Sequence, residues 1–394
     1  MNDFHLIYTC PDTKARAGEL QTAHGQVLTP VFMPVGSQGT VKTLTPEELK
    51  DIGVAMVLAN TYHLYLRPGI PVVEKMGGLH KFMAWGGPIL TDSGGYQIFS
   101  LARLRQITDD GVVFRSHIDG SEHSITPELT IQFQEALGAD IIMVLDECPA
   151  CDDSFEKVQA AMHRTHRWAE RCHRAHKRKG QALYAIVQGG FVPQLRHQSA
   201  EYLTSLGFPG YAIGGLSLGE PKEITLAMIE ETAALLPDDK PRYLMGVGSP
   251  EDIIESVSRG CDMFDCALPT RVARNGAFFT RQGRRNIRNA VYGQMEDAID
   301  PDCDCYTCRT FSAAYVHHLF NCGELLSYRL LTIHNLRFIS NLMRQIRSAI
   351  LDGSYNSFKG NFLAGYQPTD EQVRLSQKQR WLKSRSDSLK WQER

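Results

Sequence analysis

The feature that most constrains the fold is a series of eight short apolar runs within the first 265 residues. Each run ends in, or is followed by, a polar residue or a glycine, and helix-like segments lie between the runs. Continuous apolar runs of this length are typical of strands buried on both faces of a parallel sheet. The runs are VFMPVG (31–36), VAMVLAN (54–60), PILTD (88–92), IIMVLD (141–146), LYAIVQ (183–188), YAIGG (211–215), RYLMGV (242–247) and CDMFD (261–265).

Several of the intervening segments carry helix signals. Thr45 and Thr126 each precede a proline and an acidic first turn, which is the pattern of an N-cap followed by a helix. Further helices are predicted over 153–178, 221–236 and 249–260. Eight strands that alternate with helices predict an α/β fold of the (β/α)8 TIM-barrel type. An open doubly wound sheet is the alternative, and the lack of a G-x-G-x-x-G turn after the first strand disfavours it.

A barrel places its chemistry at the carboxyl ends of its strands. Three carboxylates and a glutamine stand there, with a glycine and a methionine. A single aspartate at such a position is more often a helix cap or a loop-bonding residue, but three at one barrel mouth favour a functional cluster. The six residues are Asp92, Asp146, Gln188, Gly215, Met245 and Asp265.

Composition and charge narrow the function classes. Hydrophobic residues make up 43% and charged residues 22%, as in ordinary globular domains. No apolar run approaches the roughly 18 residues of a membrane span, and no secretory pattern opens the chain, so we expect a cytoplasmic protein without a membrane partner. The net charge is −2, yet residues 266–295 contain no acid and six arginines. That basic segment is either a solvated face or an anion-binding patch.

Three of the ten cysteines are crowded into CDCYTC, at Cys303, Cys305 and Cys308. Close thiolates with one further ligand are typical of a tetrahedral structural zinc site. Spacing alone leaves the fourth ligand open among four downstream residues, which are His317, His318, Cys322 and His334. The cluster lies about 40 residues beyond the last strand, so we interpret it as structural rather than catalytic.

These features divide the chain into three parts. We expect a catalytic barrel over 1–300, with an insertion at 93–125 after its third strand. A zinc-binding subdomain packed on the barrel follows over 301–352. The last part, 353–394, is a C-terminal segment with a charged, partly flexible tail.

Seven motifs in order give the chain a specific resemblance over roughly residues 5–365. They are DSGGYQIFS (92–100), VLDECP (144–149), VQGG (187–190), GGLSLGE (214–220), MGVG (245–248), FDCALPTRVARNG (264–276) and CDCYTC (303–308). In these the chain resembles the tRNA-guanine transglycosylases. The resemblance implies a TIM barrel with a zinc-containing insertion. It also implies exchange of guanine at wobble position 34 of tRNAs with GUN anticodons (Asp, Asn, His, Tyr) for a 7-deazaguanine, in queuosine biosynthesis.

The resemblance also assigns roles. By it, Asp265 is the nucleophile that forms a covalent tRNA intermediate, and Asp92 is the general base. The residues implied to hold or flank the base are Asp146, Cys148, Gln188, Gly215, Leu216, Tyr96 and Met245. Arg271 and Arg274 are implied to hold anticodon nucleotides. The ligands implied for one structural Zn²⁺ per chain are Cys303, Cys305, Cys308 and His334.

The residue types suit such a reaction. Breaking the ribose C1′–N9 bond passes through an oxocarbenium-like state, which a carboxylate on the opposite face can trap covalently. An aspartate can accept from the N1–H and 2-amino groups of guanine, while backbone N–H groups meet its O6. Water must be kept out, because hydrolysis would leave an abasic tRNA.

The subtype depends on one pocket position. Bacterial members insert the small base preQ1, whereas eukaryotic members insert bulky queuine and have glycine where this chain has Leu218. Leu218 therefore predicts the bacterial type, although valine is usual there, and an enzyme that incorporates queuine is the alternative. A homodimer is also implied.

Two rivals come from other classes. A non-catalytic tRNA-binding subunit of such an enzyme would keep the zinc site but lose the nucleophile, whereas Asp265 and Asp92 are both present. A zinc-dependent barrel hydrolase would need metal-binding histidines at strand ends, and His63 is the only candidate in the sequence.

Overall fold

The computed structural model describes residues 3–101, 105–370 and 376. Most of the tail that was predicted to be partly flexible lies outside these residues. In chain order the strands are β1 (Phe4–Thr9), β2 (Arg16–Thr22), β3 (Gly25–Thr29), β4 (Val31–Gly36), β5 (Val57–Asn60), β6 (Ile89–Asp92), β7 (Arg105–Ile107), β8 (Val112–Arg115), β9 (Glu122–Ile125), β10 (Ile141–Met143), β11 (Ala182–Val187), β12 (Tyr211–Ile213), β13 (Arg242–Leu244), β14 (Met263–Cys266), β15 (Ala277–Thr280) and β16 (Gly283–Asn286).

Helices fill most of the remaining chain, and one 3₁₀ helix covers Ala290–Gln294. In chain order the α-helices are α1 (Pro46–Ile52), α2 (Thr61–Leu66), α3 (Ile70–Lys75), α4 (Leu79–Met83), α5 (Gly95–Leu101), α6 (Pro127–Leu137), α7 (Phe155–Ala175), α8 (Pro193–Ser205), α9 (Lys222–Ala234), α10 (Pro250–Val257), α11 (Leu268–Arg274), α12 (Tyr306–Thr310), α13 (Ala313–Asn321), α14 (Leu325–Leu351) and α15 (Tyr355–Gly365). No helix within the described residues combines the length and the apolar character that crossing a bilayer requires.

Eight parallel strands close into a barrel, in the order β4, β5, β6, β10, β11, β12, β13, β14 and back to β4. Each contains part of one predicted apolar run, so the predicted (β/α)8 barrel is confirmed. The strands are buried almost throughout because helices cover their outer faces. Several are shorter than the predicted runs: β10 ends at Met143, and Asp146 already lies in the loop beyond it.

The predicted helix caps are also present. The Thr45 side chain accepts from the N–H of Glu48, and the Glu48 carboxylate accepts in return from the N–H of Thr45 at 2.8 Å. This reciprocal pair is a capping box, which satisfies two N–H groups that the first turn leaves without partners. Thr126 caps α6 through the N–H of Leu129.

A three-stranded antiparallel sheet of β1, β2 and β3 covers the amino ends of the barrel strands, and the sequence analysis did not predict it. The buried Arg16 guanidinium donates to both carboxylate oxygens of Asp262, just before β14, at 2.9 and 2.7 Å. Asp140, just before β10, accepts from the backbone and ring nitrogens of His24 at 3.1 and 2.8 Å. The sheet therefore lies at the end of the barrel opposite the predicted mouth.

The predicted insertion after the third barrel strand contains α5 and a second antiparallel sheet of β7, β8 and β9. Two tyrosines of α2 fasten it to the barrel. The Tyr62 hydroxyl lies 2.8 Å from Nδ1 of His117, and the Tyr65 hydroxyl lies 2.8 Å from Nδ1 of His123.

The long helix α14 joins distant parts of the molecule. It packs against the barrel at β4 and α11, against the β15–β16 hairpin, and against α12, which begins after Cys305 and contains Cys308. Near its end, Arg347 donates to the carbonyls of Gly18, at 2.8 Å, and Thr29 in the amino-end sheet. The boundaries 1–300, 301–352 and 353–394 remain predictions.

Candidate active site and metal centre

Three aspartates lie at the carboxyl ends of barrel strands, as predicted. Asp92 ends β6, Asp265 belongs to the end of β14, and Asp146 follows β10. Asp92 and Asp146 are buried, and Asp265 is partly buried. The barrel brings them to one mouth because all eight strands run in the same direction.

Asp92 is held by the end of the neighbouring strand. Its Oδ1 accepts from the N–H of Thr61 at 3.1 Å, and its Oδ2 accepts from the side-chain amides of Asn60 and of Gln97, the latter at 3.2 Å. Burial, and secondly the negative charge of Asp265, raise the pKa of Asp92 to about 7. A carboxyl group with that pKa can both accept and return a proton near neutral pH.

Asp265 is oriented through one of its two oxygens. Oδ1 accepts from the Tyr243 hydroxyl at 2.6 Å and from the N–H of Gly246 at 2.8 Å. Burial raises the pKa of Asp265, while these two hydrogen bonds favour its charged form. Among the described residues no hydrogen bond reaches Oδ2, so this oxygen is the one available for attack.

Asp146 and Gln188 face each other across the loops after β10 and β11. Gln188 donates its side-chain amide to Oδ2 of Asp146 at 2.7 Å, and Ser93 donates to Oδ1 at 3.3 Å. Burial raises the pKa of Asp146 to about 6. The Oε1 atom of Gln188 is buried and has no partner among the described residues. A Cβ atom at Gly215 would lie 2.3 Å from this oxygen, and Gly215 has φ +69°, so the position requires glycine.

The loop after β12 is organised by a buried carboxylate. Glu220 accepts from the N–H groups of Ser217, Leu218 and Gly219, at 2.8 Å for Leu218 and 3.0 Å for Gly219. Ser217 adopts a left-handed conformation with φ +59°. Leu216 is buried in this loop.

The remaining predicted pocket residues also lie at the carboxyl ends. Tyr96 belongs to α5, directly after β6, and its side chain is 39% exposed. Met245 follows β13 and is half-buried, and Cys148 follows Asp146 in the same loop. Burial raises the pKa of the Cys148 thiol, so this cysteine stays neutral.

The predicted basic segment, 266–295, begins at the barrel mouth. Arg271 and Arg274 belong to α11, which directly follows β14. Burial, and secondly the charge of Arg271, lower the pKa of Arg274. In the part of the chain that the structure describes, none of the six arginines of the segment forms an ion pair with a carboxylate, so their charge is available to an anion.

The cysteine cluster gathers one histidine. The ligand atoms of Cys303, Cys305, Cys308 and His334 all lie within 4.8 Å of one another. His334 was one of four candidates left open by spacing. Of the others, His317 uses Nδ1 on the carbonyl of Ile287, while His318 and Cys322 lie near each other, outside the cluster.

The geometry of the cluster fits a zinc ion. Nδ1 of His334 lies 3.3 Å from the Cys308 sulfur and 3.7 Å from the Cys305 sulfur. A tetrahedral ion with Zn–S and Zn–N bonds of about 2.3 and 2.0 Å separates such ligand atoms by about 3.5 Å. His334 Nε2 lies 2.7 Å from the carbonyl of Phe279, which fixes the proton on Nε2 and leaves the Nδ1 lone pair for a metal.

A catalytic metal is not supported by the described residues. Two groups there could hold an ion, the cysteine cluster and a group of His24, His80 and Asp140. Neither includes a residue at the carboxyl end of a barrel strand. His63 lies within α2, and burial, and secondly the charge of His117, lower its pKa to about 4. His63 belongs to neither group of candidate metal ligands among the described residues.

Sequence reasoning missed several residues that support the site. Asn60 ends the second predicted run and could have been found by the same strand-end criterion that identified Asp92. Tyr243 lies inside an apolar run, and nothing in the sequence marks its hydroxyl as a partner of Asp265. Glu220 closes the GGLSLGE motif, but its bonds to three backbone N–H groups appear only in the structure.

Comparison with known proteins agrees with this geometry. Residues 10–368 match the family described as Queuine tRNA-ribosyltransferase. A queuine tRNA-ribosyltransferase of Dehalococcoides mccartyi is 65% identical over 383 residues, which cover 97% of this chain and 98% of that protein. Proteins of the same name from Pelotomaculum thermopropionicum and Herpetosiphon aurantiacus are 56% and 55% identical, over 92% and 95% of this chain and 98% and 95% of their own lengths. The chain therefore belongs to the queuine tRNA-ribosyltransferase family.

Proposed function

We propose that this enzyme exchanges guanine at wobble position 34 of tRNAs with GUN anticodons (Asp, Asn, His, Tyr) for preQ1, in queuosine biosynthesis. The observation that carries the proposal is the pair of carboxylates, buried Asp92 and partly buried Asp265, at one barrel mouth beside a basic segment. The reaction uses one carboxylate as nucleophile and the other to move a proton. Because the substrate is tRNA, the proposed place of action is the cytoplasm.

The first half of the reaction forms a covalent intermediate. Oδ2 of Asp265 bonds to C1′ of nucleotide 34, the C1′–N9 bond breaks, and the bonding electrons leave with guanine. The hydrogen bonds from Tyr243 and Gly246 to Oδ1 keep the nucleophile oriented. Asp92 in its protonated form can neutralise the departing base.

The second half reverses the first with a different base. Asp92 accepts the N9 proton of the incoming base, N9 attacks C1′, and the ester bond to Asp265 breaks. The proton that left with guanine is thereby replaced by the one that preQ1 brings. One carboxyl group with a pKa of about 7 can serve both halves.

Base recognition falls to the loops after β10, β11 and β12. Asp146 can accept from the N1–H and 2-amino groups, while Gln188 and the backbone N–H groups of Gly215 and Leu216 can donate to O6. The hydrogen bond from Gln188 to Asp146 must then open. We propose that Tyr96, in α5 after β6, and Met245, after β13 on the opposite side of the barrel, flank the base, and that Cys148 packs beside it.

The choice of preQ1 rests on Leu218. Glu220 holds this residue in place through its backbone N–H at 2.8 Å. A leucine side chain beside the 7-substituent leaves room for an aminomethyl group, and the carbonyl of Leu216 is an acceptor for that ammonium. The cyclopentenediol of queuine would collide with the leucine. An enzyme that incorporates queuine is therefore the alternative.

Arg271 and Arg274 are proposed to hold the phosphates of the anticodon loop, because phosphate contacts supply most of the affinity for nucleic acid. We also propose a homodimer. Tyr306 and Tyr315, on α12 and α13, are 52% and 40% exposed, and Phe311 stacks against Tyr315 at 5.2 Å between ring centres. A second copy of the chain can cover this aromatic surface.

Zinc is proposed as a structural ion, one per chain. When bound by the three cysteines and His334, it would supply a cross-link between the cysteine loop and α14. Asp304, inside the loop, already accepts from Arg337 of α14 at 2.8 Å and from Asn341 at 3.0 Å. These hydrogen bonds hold the cysteine loop against α14 next to the proposed zinc site, in addition to the cross-link that zinc would supply.

The test is incubation with labelled guanine and an unmodified tRNA bearing a GUN anticodon. Incorporation at position 34 is expected, together with a tRNA–protein adduct that survives denaturation. Asp265→Asn should abolish both while keeping tRNA binding, and Asp239→Asn, at a 74% exposed aspartate, is the matched control. An adduct in Asp265→Asn would refute the nucleophile. tRNA binding without exchange by the unsubstituted protein would instead identify a non-catalytic subunit.

A further inference from the structure

One buried charge beside the barrel mouth takes no part in the reaction described above. Arg196, in the first turn of α8, is wholly buried, and no carboxylate among the described residues forms an ion pair with it. Its Nη1 atom is buried without a hydrogen-bond partner. Burial lowers the pKa of Arg196 to about 10, so the guanidinium is still charged at neutral pH.

Such a residue is costly for folding. A buried cation without an ion-pair partner keeps much of its desolvation penalty, and the neutral carbonyl groups and the charge of Glu220 offset only part of it. An apolar side chain of similar length would avoid that penalty. The position of Arg196 therefore calls for an explanation other than stability.

The two hydrogen bonds of Arg196 supply that explanation. Nε donates to the carbonyl of Gly190 at 2.7 Å, and Nη2 donates to the carbonyl of Gly214 at 2.9 Å. Gly190 lies in the loop after β11, two residues beyond Gln188. Gly214 lies in the loop after β12, directly before Gly215. One rigid guanidinium thus spans the two loops that carry the proposed donors to the base.

The packing around these loops leaves little freedom. A Cβ atom at Gly189 would lie 2.7 Å from the backbone nitrogen of Arg196, so the loop after β11 is in close contact with α8. One turn further along α8, the Ser199 hydroxyl accepts from the backbone N–H of Gln188 at 3.3 Å. Helix α8 therefore holds the Gln188 loop at two points.

We infer that Arg196 is a positioning residue that sets the separation between Gln188 and the backbone at 215–216, and thereby the affinity for the base. This inference rests on the proposed function, because the base is the ligand of those loops. The effect is confined to the base: the arginines proposed to hold tRNA lie in another segment. Loss of the link should weaken the base site while leaving tRNA binding intact.

The experiment compares Arg196→Met and Arg196→Lys with the unsubstituted protein in exchange of labelled guanine and preQ1 at saturating tRNA. Methionine removes both hydrogen bonds, and lysine keeps the charge but lacks the two-pronged geometry. We expect the KM for the base to rise about 10- to 100-fold in both, as for a misplaced positioning group, with the KM for tRNA unchanged. A purely structural role would lower kcat per protein and leave the KM for the base unchanged, which would overturn the inference.

Two further variants complete the test. Arg242→Lys is the control for replacing a buried arginine, because Arg242 also donates to a backbone carbonyl, and in addition to Asp238, at the amino end of β13. If both Arg196 variants fail to fold, Ser199→Ala loosens the same loop more gently and should still raise the KM for the base; an unchanged KM there overturns the inference. If the unsubstituted protein performs no exchange, the proposed function fails, which is a different result from exchange with unaltered KM values in the variants.

Discussion

Tyr243→Phe should raise the pKa of Asp265. The acid limb of the pH–rate profile for formation of the covalent tRNA adduct should therefore move to higher pH. The Tyr243 hydroxyl donates to Oδ1 of Asp265 at 2.6 Å, and Tyr243 is fully buried. A hydrogen bond to a charged group contributes about 1.5–3 kcal/mol, and one pKa unit corresponds to about 1.36 kcal/mol. Since this bond stabilises the carboxylate over the acid, its loss should raise the pKa by about 1–2 units.

The assay must isolate Asp265 from Asp92, because the charge of Asp265 contributes to the raised pKa of Asp92. Formation of the covalent tRNA adduct is therefore measured in a single turnover in the Asp92→Asn background, over a range of pH. The nucleophile acts as a carboxylate, so adduct formation should be lost at a higher pH when Tyr243→Phe is added. The hydrogen bond from Gly246 to the same oxygen remains, so the rate at alkaline pH should change little.

Tyr184→Phe is the matched control. Tyr184 is a fully buried barrel tyrosine on β11 whose hydroxyl has no hydrogen-bond partner among the described residues. The substitution removes the same atom without touching Asp265. Coincident acid limbs for Tyr243→Phe and Tyr184→Phe would refute the reasoning.

Three further predictions follow from the site. Asp92→Asn should slow exchange by roughly 10²- to 10⁴-fold while tRNA binding persists. In the unsubstituted protein exchange should be fastest near pH 7 and fall on either side, because the first half uses protonated Asp92 and the second half uses its carboxylate; a pH-independent rate would remove Asp92 from proton transfer. Leu218→Gly should admit queuine. In the unsubstituted protein, overpacking by queuine costs on the order of 1–3 kcal/mol, which corresponds to a preference for preQ1 of roughly 5- to 150-fold. Competition kinetics with the two bases measure this preference, and equal use of both bases by the unsubstituted protein contradicts the steric argument. His334→Ala should lower zinc content and melting temperature together, and full zinc retention would exclude His334 as a ligand.

The sequence predicts the barrel well because each strand is buried on both faces and therefore appears as a continuous apolar run. The same runs place Asp92 and Asp265 at strand ends, so the mouth follows from the fold class. The sheet at the amino ends of the barrel strands was not predicted, because buried and exposed residues alternate along its strands. Strand β1 (Phe4–Thr9), for example, is half-exposed and lacks an apolar run. A short strand in which apolar and polar residues alternate gives a weaker sequence pattern than a continuous apolar run.

Contacts across strands could not be predicted in the same way. Tyr243 reaches Asp265 only because β13 and β14 pair with Tyr243 opposite Met263, a register that the sequence does not specify. His334 is 26 residues beyond Cys308, and spacing cannot distinguish it from His317, since the direction of α14 decides which ring enters the cluster. Arg196 looks like an ordinary exposed helix residue until α8 is placed against two loops.

Helix α14 also bears on the order of folding during synthesis. Strand β4 is made first among the barrel strands, yet its neighbours include β14 and α14, which ends at Leu351. Strand β4 therefore cannot pack against β14 and α14 until residues roughly 230 to 320 positions later in the chain have been made, and contacts so distant in sequence form slowly. We expect nascent chains that stop short of α14 to expose the apolar edge of β4, and to depend on chaperones until that helix emerges.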